Sequence, residues 1–229
     1  MPSESVALLA IESSCDETSA AILVDGALRS NIIYTQKIHE QYGGVIPESA
    51  SRLHTKHILP VVHEAFLQSG IQPEQLQAIA YTQSPGLIGS LLVGATFAKS
   101  YAQALGIPSI AVHHMQAHVA SNLIGNDQIT YPFLCLTVSG GHTQIVQCEG
   151  PLDMKILGET IDDAAGEAFD KSAKMLRLPY PGGPLIDQYA QLGNPLAFTF
   201  AQPQIPDLNF SFSGLKTSIL YFIQKEEKN

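Results

Sequence analysis

Apolar positions along this chain switch between two spacings, and the switches mark its elements. Val6 to Ile11 is a continuous apolar run, the pattern of a strand covered on both faces. The polar stretch Glu12-Ser13-Ser14-Cys15-Asp16-Glu17 follows, and Thr18 to Val24 resumes the run. Asp25-Gly26 is a strong hairpin turn, and Ala27 to Tyr34 supplies a third strand. From Pro47 to about Leu67 the spacing is helical, with Pro47 suited to a first turn and Pro60 expected to kink the helix. Leu76 to Tyr81 then reads as a strand, Leu87 to Leu105 as a helix, Ser109 to Val112 as a short strand and His114 to Leu123 as a helix.

At Pro132 the pattern restarts. Phe133 to Val138 reads as a buried strand, Ser139-Gly140-Gly141-His142 as a polar turn, and Thr143 to Cys148 as a second strand. Met154 to Leu157 supplies a third. Each half opens with a strand, a small polar turn, a threonine and another strand, which points to an internal duplication. The division implied is residues 1–131 for a first lobe carrying the His114 helix, and residues 132–229 for a partial second lobe with a helical insertion. The second lobe lacks the later strands and helices of the first. The expectation is therefore a chain cut short, with Gln224 to Asn229 a solvated helix end.

Composition narrows the class. Hydrophobic residues make up 45% and charged residues 14% of 229 residues, which suits a folded chain with a sizeable core. No run approaches a membrane span, and Glu4 stands where a signal peptide would carry basic charge, so the expected location is cytoplasmic. Cys15, Cys135 and Cys148 have no metal-type spacing and read as free thiols. A net charge of −9 argues against a protein that grips nucleic acid with its whole surface.

Three features carry candidate chemistry. Ser139-Gly140-Gly141 is a small turn whose backbone N–H groups could form a concave anion site, although most such pairs are simply turns. His114 and His118 stand four apart on one helix, so their imidazoles can converge on one ion; a polar helix face has the same spacing. No Glu follows His114, so the peptidase arrangement that uses that Glu as general base is missing. Asp162 to Leu176 has the strongest helical stripe, with Asp163, Glu167, Asp170 and Lys174 on its polar side as a mainly solvated face. Gly182-Gly183 beside Asp187 could hold a ribose, whose hydroxyls need acceptors and a close backbone.

In order, the segments Glu12 to Thr18, Gly43 to Glu48, Ala50-Ser51-Arg52 with His54, Lys99 to His118, Ser139 to Thr143, Asp162 to Lys171, Tyr180 to Pro184 and Phe210 to Lys216 resemble one family. That family is the tRNA N6-adenosine threonylcarbamoyltransferases, once called glycoproteases. The resemblance implies an α/β fold of the duplicated actin/Hsp70/sugar-kinase type (ASKHA), here with an incomplete second lobe and a nucleotide between lobes. It implies transfer of a threonylcarbamoyl group from threonylcarbamoyl-AMP to N6 of adenosine 37 in tRNAs that read ANN codons. By the same carry-over, His114 and His118 are ligands of one divalent metal, iron or zinc. Thr137, Val138, Ser139, Gly140 and Gly141 line the donor site, which ATP or ADP can also occupy. Asp170, Gly183 and Asp187 hold its nucleoside end, Glu12 and Asp16 face the site as catalytic candidates, and Glu12 is the candidate proton acceptor. A further aspartate ligand belongs to a part of the family's chain that this sequence does not contain, which makes weak activity the expectation.

Partners follow from the resemblance alone: tRNA, a paralogous non-catalytic actin-like subunit and a P-loop ATPase subunit, with no membrane. Arg52, Lys56 and His57 are the candidate contacts, a solvated helix face being the alternative. Three rival readings stay open: the paralogous interaction module, which lacks the histidine pair; a metallopeptidase; and a nucleotide-hydrolysing or sugar kinase on the same fold.

Overall fold

The computed structural model describes residues 5–228; Glu4 and Asn229 lie outside them. Its contacts divide the chain into two compact units, one of residues 1–39 and 45–128, the other of residues 40–44 and 129–229.

The first unit is built on five strands: β1 (Ala7–Glu12), β2 (Glu17–Val24), β3 (Ala27–Thr35), β4 (Leu76–Ser84) and β5 (Ser109–His113). Their order is β3-β2-β1-β4-β5. The first three pair antiparallel, with Asp25 and Gly26 both at positive φ in the β2–β3 turn, as a primed hairpin turn requires. β1, β4 and β5 pair parallel. Parallel neighbours need crossovers, and these are the helices α1 (Pro47–Ser69) and α2 (Ile88–Leu105). α1 runs unbroken through Pro60, and both helices end on a left-handed glycine, Gly70 and Gly106. α3 (His114–Ala120) follows β5 directly.

The β1 strand is not covered on both faces. Ala7, Leu9 and Ile11 join Ile22, Ile79, Ile58, Val62, Ala65 and Ala98 in one core, while Leu8 and Ala10 are only half-buried. Both crossover helices pack on the same side of the sheet, so alternate residues of β1 face a more open side. That open side is where Glu12 emerges.

The second unit has an antiparallel sheet of β6 (Phe133–Val138), β7 (Thr143–Cys148) and β8 (Met154–Glu159), in that order. β6 also departs from the fully buried strand expected from its sequence. It lies at the sheet edge, and Leu134, Leu136 and Val138 are 66%, 60% and 54% exposed. Three helices follow: α4 (Ala165–Met175), α5 (Gly183–Ala190) and α6 (Ser213–Glu226).

The α4 helix starts at Ala165, not at Asp162. Thr160 bridges Phe210, and Ala164 is still extended, so residues 160–164 form a loop. The loop's two carboxylates are therefore not a solvated helix face. Asp162 Oδ1 accepts from the Phe212 and Ser213 N–H groups and caps α6, a role its own helix start would otherwise fill locally. Asp163, 13% exposed, is paired with Lys216 of α6 and Lys171 of α4. The Lys216 hydrogen bond, opposed by burial and helped by Lys171, holds the Asp163 carboxyl below the usual range.

The ionised carboxylate is favoured in the folded state, so its stabilisation is present above the unfolded carboxyl's pKa of about 3.9 and is lost as pH falls through the lower folded value. Asp163→Asn is expected to lower stability at pH 7 by about 1–2 kcal/mol, with the difference from the unsubstituted chain closing at an acid pH below the carboxyl's lowered folded value. Urea unfolding at both pH values checks this; a difference that persists at the acid end contradicts it.

Candidate functional site

Parallel pairing of β1 with β4 sets Ile11 beside Tyr81, so the next residues, Glu12 and Thr82, meet at the strand ends. The Glu12 carboxylate is the centre of a polar cluster there. Oε1 accepts from the Ser14 N–H, and Oε2 accepts from the Thr82 hydroxyl and lies 3.4 Å from His114 Nδ1. Ser14 Oγ is 3.3 Å from the same nitrogen. Burial opposes ionisation of Glu12, but the hydrogen bonds from His114, Ser14 and Thr82 outweigh it and hold the carboxyl at about 2.

His114 opens α3, and His118 stands one turn on. Their Nε2 atoms are 3.1 Å apart, with the rings edge to face at 82°. Burial and the neighbouring His114 lower the His118 pKa, which favours a neutral imidazole able to act as a ligand. Two metal–nitrogen bonds of about 2.0–2.1 Å in a tetrahedral site would separate the nitrogens by about 3.3 Å, so this pair has the bite of a metal site. The second nitrogen of His114 points to a carboxylate, as ligating imidazoles do. Among the described residues no third His, Cys, Asp or Glu completes the group. A cavity of about 280 Å³ opens beside the pair, lined by Ala10, Glu12, Ala21, Asn31, His114 and His118. His113, the last residue of β5, is exposed and lies outside that lining.

The loop after Glu12 is held from below. Fully buried His54 of α1 is bonded to the Thr18 hydroxyl at 2.8 Å and donates to the Cys15 carbonyl at 2.9 Å. Ser13 Oγ donates to the Ser90 carbonyl, Ser90 Oγ donates to Cys15 O, and the Leu87 N–H donates to Ser14 O. Asp16, half-buried, sits against the Cys15 thiol; burial, then Asp16, pushes that thiol up to about 12. Arg52 pairs with Glu48 on the exposed face of α1, whereas His57 stacks on Tyr34 at 3.8 Å and is part of the packing.

In the second unit Thr137 is buried, while Val138 is 54% exposed at the end of β6. The Ser139–Gly141 turn bonds much of itself. The Ser139 N–H donates to His142 O at 2.8 Å, and Ser139 Oγ accepts from the Gly141 and His142 N–H groups at 3.4 and 3.0 Å. Asp170 Oδ1 accepts from the Gly182 and Gly183 N–H groups at 2.8 and 3.2 Å and so ties α4 to the start of α5. Asp187 is exposed on α5. The structure thus groups Glu12, His114 and His118 in one unit, and Asp170 and Gly183 in the other. Thr82, which bonds Glu12, and Ser90, which bonds Ser13 and Cys15, carry no signal in the sequence, because each meets its partner from about 70 or more positions away.

The first unit is thus an α/β unit of strand order β3-β2-β1-β4-β5 with a polar β1–β2 loop and an imidazole pair on the helix after β5. The sequence profile of the tRNA N6-adenosine threonylcarbamoyltransferases matches residues 27–228. Curated proteins of that name are 57% identical to the chain: one from Christiangramia forsetii over 100% of it and 68% of the relative's own length, one from Cytophaga hutchinsonii over 97% and 65%, and one from Phocaeicola vulgatus over 95% and 66%. The chain belongs to the tRNA N6-adenosine threonylcarbamoyltransferase family. It spans about two thirds of the length of these relatives. Among solved structures, YeaZ from Pseudomonas aeruginosa is 19% identical with a TM-score of 0.47, over 97% of this chain and 94% of that one. A ROK hexokinase from Thermus thermophilus is 19% identical with a TM-score of 0.41, over 67% and 47%. No helix among the described residues is long and apolar enough to cross a membrane.

Replacing His54 by Ala removes both bonds that fix the loop and leaves a buried void. The expected loss is about 3 kcal/mol in urea unfolding, with faster amide exchange from Ser14 to Asp16. A loss under about 1 kcal/mol with unchanged exchange contradicts this role.

Proposed function

We propose that this chain carries the donor and metal sites of an enzyme that moves threonylcarbamoyl from threonylcarbamoyl-AMP to N6 of adenosine 37 in tRNAs reading ANN codons. The observation behind this reading is the convergence of His114 and His118 Nε2 atoms at 3.1 Å with the Glu12 carboxylate behind His114, in a chain of this family. In the reaction the N6 amine forms a C–N bond to the carbamoyl carbon, the bond from that carbon to the phosphate oxygen breaks, AMP leaves and the amine gives up a proton.

His114 and His118 would hold the metal, iron or zinc, as two of its ligands. Bound there, it supplies Lewis acidity toward the donor's carbonyl or phosphate oxygens. Glu12 acts as a positioning residue, not the proton acceptor first expected of it: Ser14, Thr82 and His114 already engage the carboxylate, and its geometry orients His114. Asp16, on the same loop beside Cys15, remains the other catalytic candidate. The turn from Thr137 to Gly141 receives the phosphate and carbamoyl end of the donor, or of ATP or ADP. Asp170 shapes the Gly182-Gly183 turn and, with Gly183 and Asp187, takes the nucleoside end.

The proposal includes tRNA as substrate, a paralogous actin-like subunit and a P-loop ATPase subunit as partners, and the cytoplasm as the place of action. Exposed Arg52 and Lys56 on α1 are the contacts to test first. The divisions 1–131 and 132–229 are proposed as the first and second actin-like lobes.

Transfer of radiolabelled threonylcarbamoyl to cognate tRNA, with both partner subunits present, tests the activity. This chain and a form extended to the length of the curated relatives are expected to transfer, the shorter one more weakly, and His114→Ala or His118→Ala to fall to background. Glu12→Gln is expected to weaken metal affinity by about 10–100-fold, read by competition with a chelating dye. Silence from both lengths, with the paralogous subunit still bound, would favour the interaction-module reading.

A further inference from the structure

The N-terminus of α4 is pressed onto the Ser139–Gly140 peptide more closely than any side chain allows. The Gly166 N–H donates to Ser139 O at 3.1 Å, and the preceding Ala165 N–H donates to the buried Thr143 Oγ1 at 2.9 Å. A Cβ on Gly166 would stand 2.7 Å from Ser139 O, 2.8 Å from Ser139 C and 2.8 Å from Gly140 N. Near-equal distances to three atoms of one peptide place that Cβ over the peptide's face, where the obstacle is backbone and cannot swing aside.

A trans peptide is planar, with its C=O and N–H on opposite sides. Fixing the Ser139 carbonyl on Gly166 therefore fixes the direction of the Gly140 N–H, which points away from the carbonyl's partner. Among the described residues the Gly140 N–H donates to nothing, unlike the Ser139 and Gly141 N–H groups beside it. Gly140 itself has open space where a side chain would be. The turn thus keeps one backbone donor outward and holds it without any need to reorganise, which is what makes such donors effective toward anionic oxygen.

We propose that Gly166 is a positioning residue for the donor site: its N–H and its missing side chain lock the Ser139–Gly140 peptide so that the Gly140 N–H donates to a phosphate oxygen of the adenylate. The inference rests on the assignment of the Ser139–Gly141 turn to the donor. It adds the single donor that matters and the residue that aims it.

The test uses the whole chain labelled with 15N-glycine and titrated with AMP, with adenosine as the phosphate-free control. The Gly140 amide resonance is expected to shift with AMP, to shift more than that of Gly141, and to stay in place with adenosine. Gly166→Ala is expected to weaken AMP binding by about tenfold or more and to remove the Gly140 response. Should that variant misfold, Thr143→Val frees the start of α4 without adding bulk, and is expected to reduce the Gly140 response while far-UV circular dichroism stays unchanged. A Gly140 resonance indifferent to AMP, or a folded Gly166→Ala chain that binds AMP as tightly with the same Gly140 shift, overturns the inference. The radiolabel transfer assay reads the donor assignment separately: transfer by the unsubstituted enzyme with a silent Gly140 rejects the inference and leaves the enzyme reading standing.

Discussion

The first unit depends on one carboxylate. Glu12 ends the central strand β1, and its two oxygens reach the Ser14 N–H, the Thr82 hydroxyl and the His114 ring. Those partners belong to the β1–β2 loop, to β4 and to α3, so one side chain sets three separate elements in register. A half-buried anion is costly unless its lone pairs are taken, and here they are. The arrangement sets the imidazoles beside the cavity on the sheet side that the two crossover helices do not cover. It also explains the division of labour on α3, where His114 is oriented from behind and His118 completes the pair from one turn further on.

The second unit solves a similar problem with backbone. Its turn from Ser139 to Gly141 is held by its own serine and by the Gly166 N–H of α4, and the helix start is fixed in turn by Thr143, which accepts from the Ala165 N–H. Asp162 caps α6 while Asp163 binds a lysine from each of two helices, so the loop that delivers α4 also ties down α6. A turn supported in this way can present a donor without the entropy cost of ordering it when a ligand arrives.

Much of this was legible in the sequence, for physical reasons that differ by element. The order of strands and helices in the first unit follows from apolar spacing, and the histidine pair from four-residue spacing on a helix. The seven-residue α3 shows its helical character in two four-residue spacings, His114 with His118 on the polar face and buried Met115 with Val119 on the other. What the sequence could not display were contacts set by sheet register: Thr82 is 70 positions from Glu12 and meets it only because β1 and β4 run parallel. The helix stripe from Ile161 onward misplaced the start of α4, since Asp162 and Asp163 continue the polar face in pattern but are drawn off by α6. β1 and β6 read as doubly buried because runs of small and branched apolar residues look alike whether one or both faces are covered.

The central claim is that His114 and His118 bind one metal through their Nε2 atoms while Glu12 keeps the Nδ1–H of His114. Long-range 1H–15N spectra of the imidazoles, recorded while Zn2+ is added to the unsubstituted chain, test it most directly. The account predicts that both Nε2 resonances move to metal-bound positions together at one equivalent, and that His114 retains a protonated Nδ1. Movement of only one histidine, or coordination through His114 Nδ1, would contradict it.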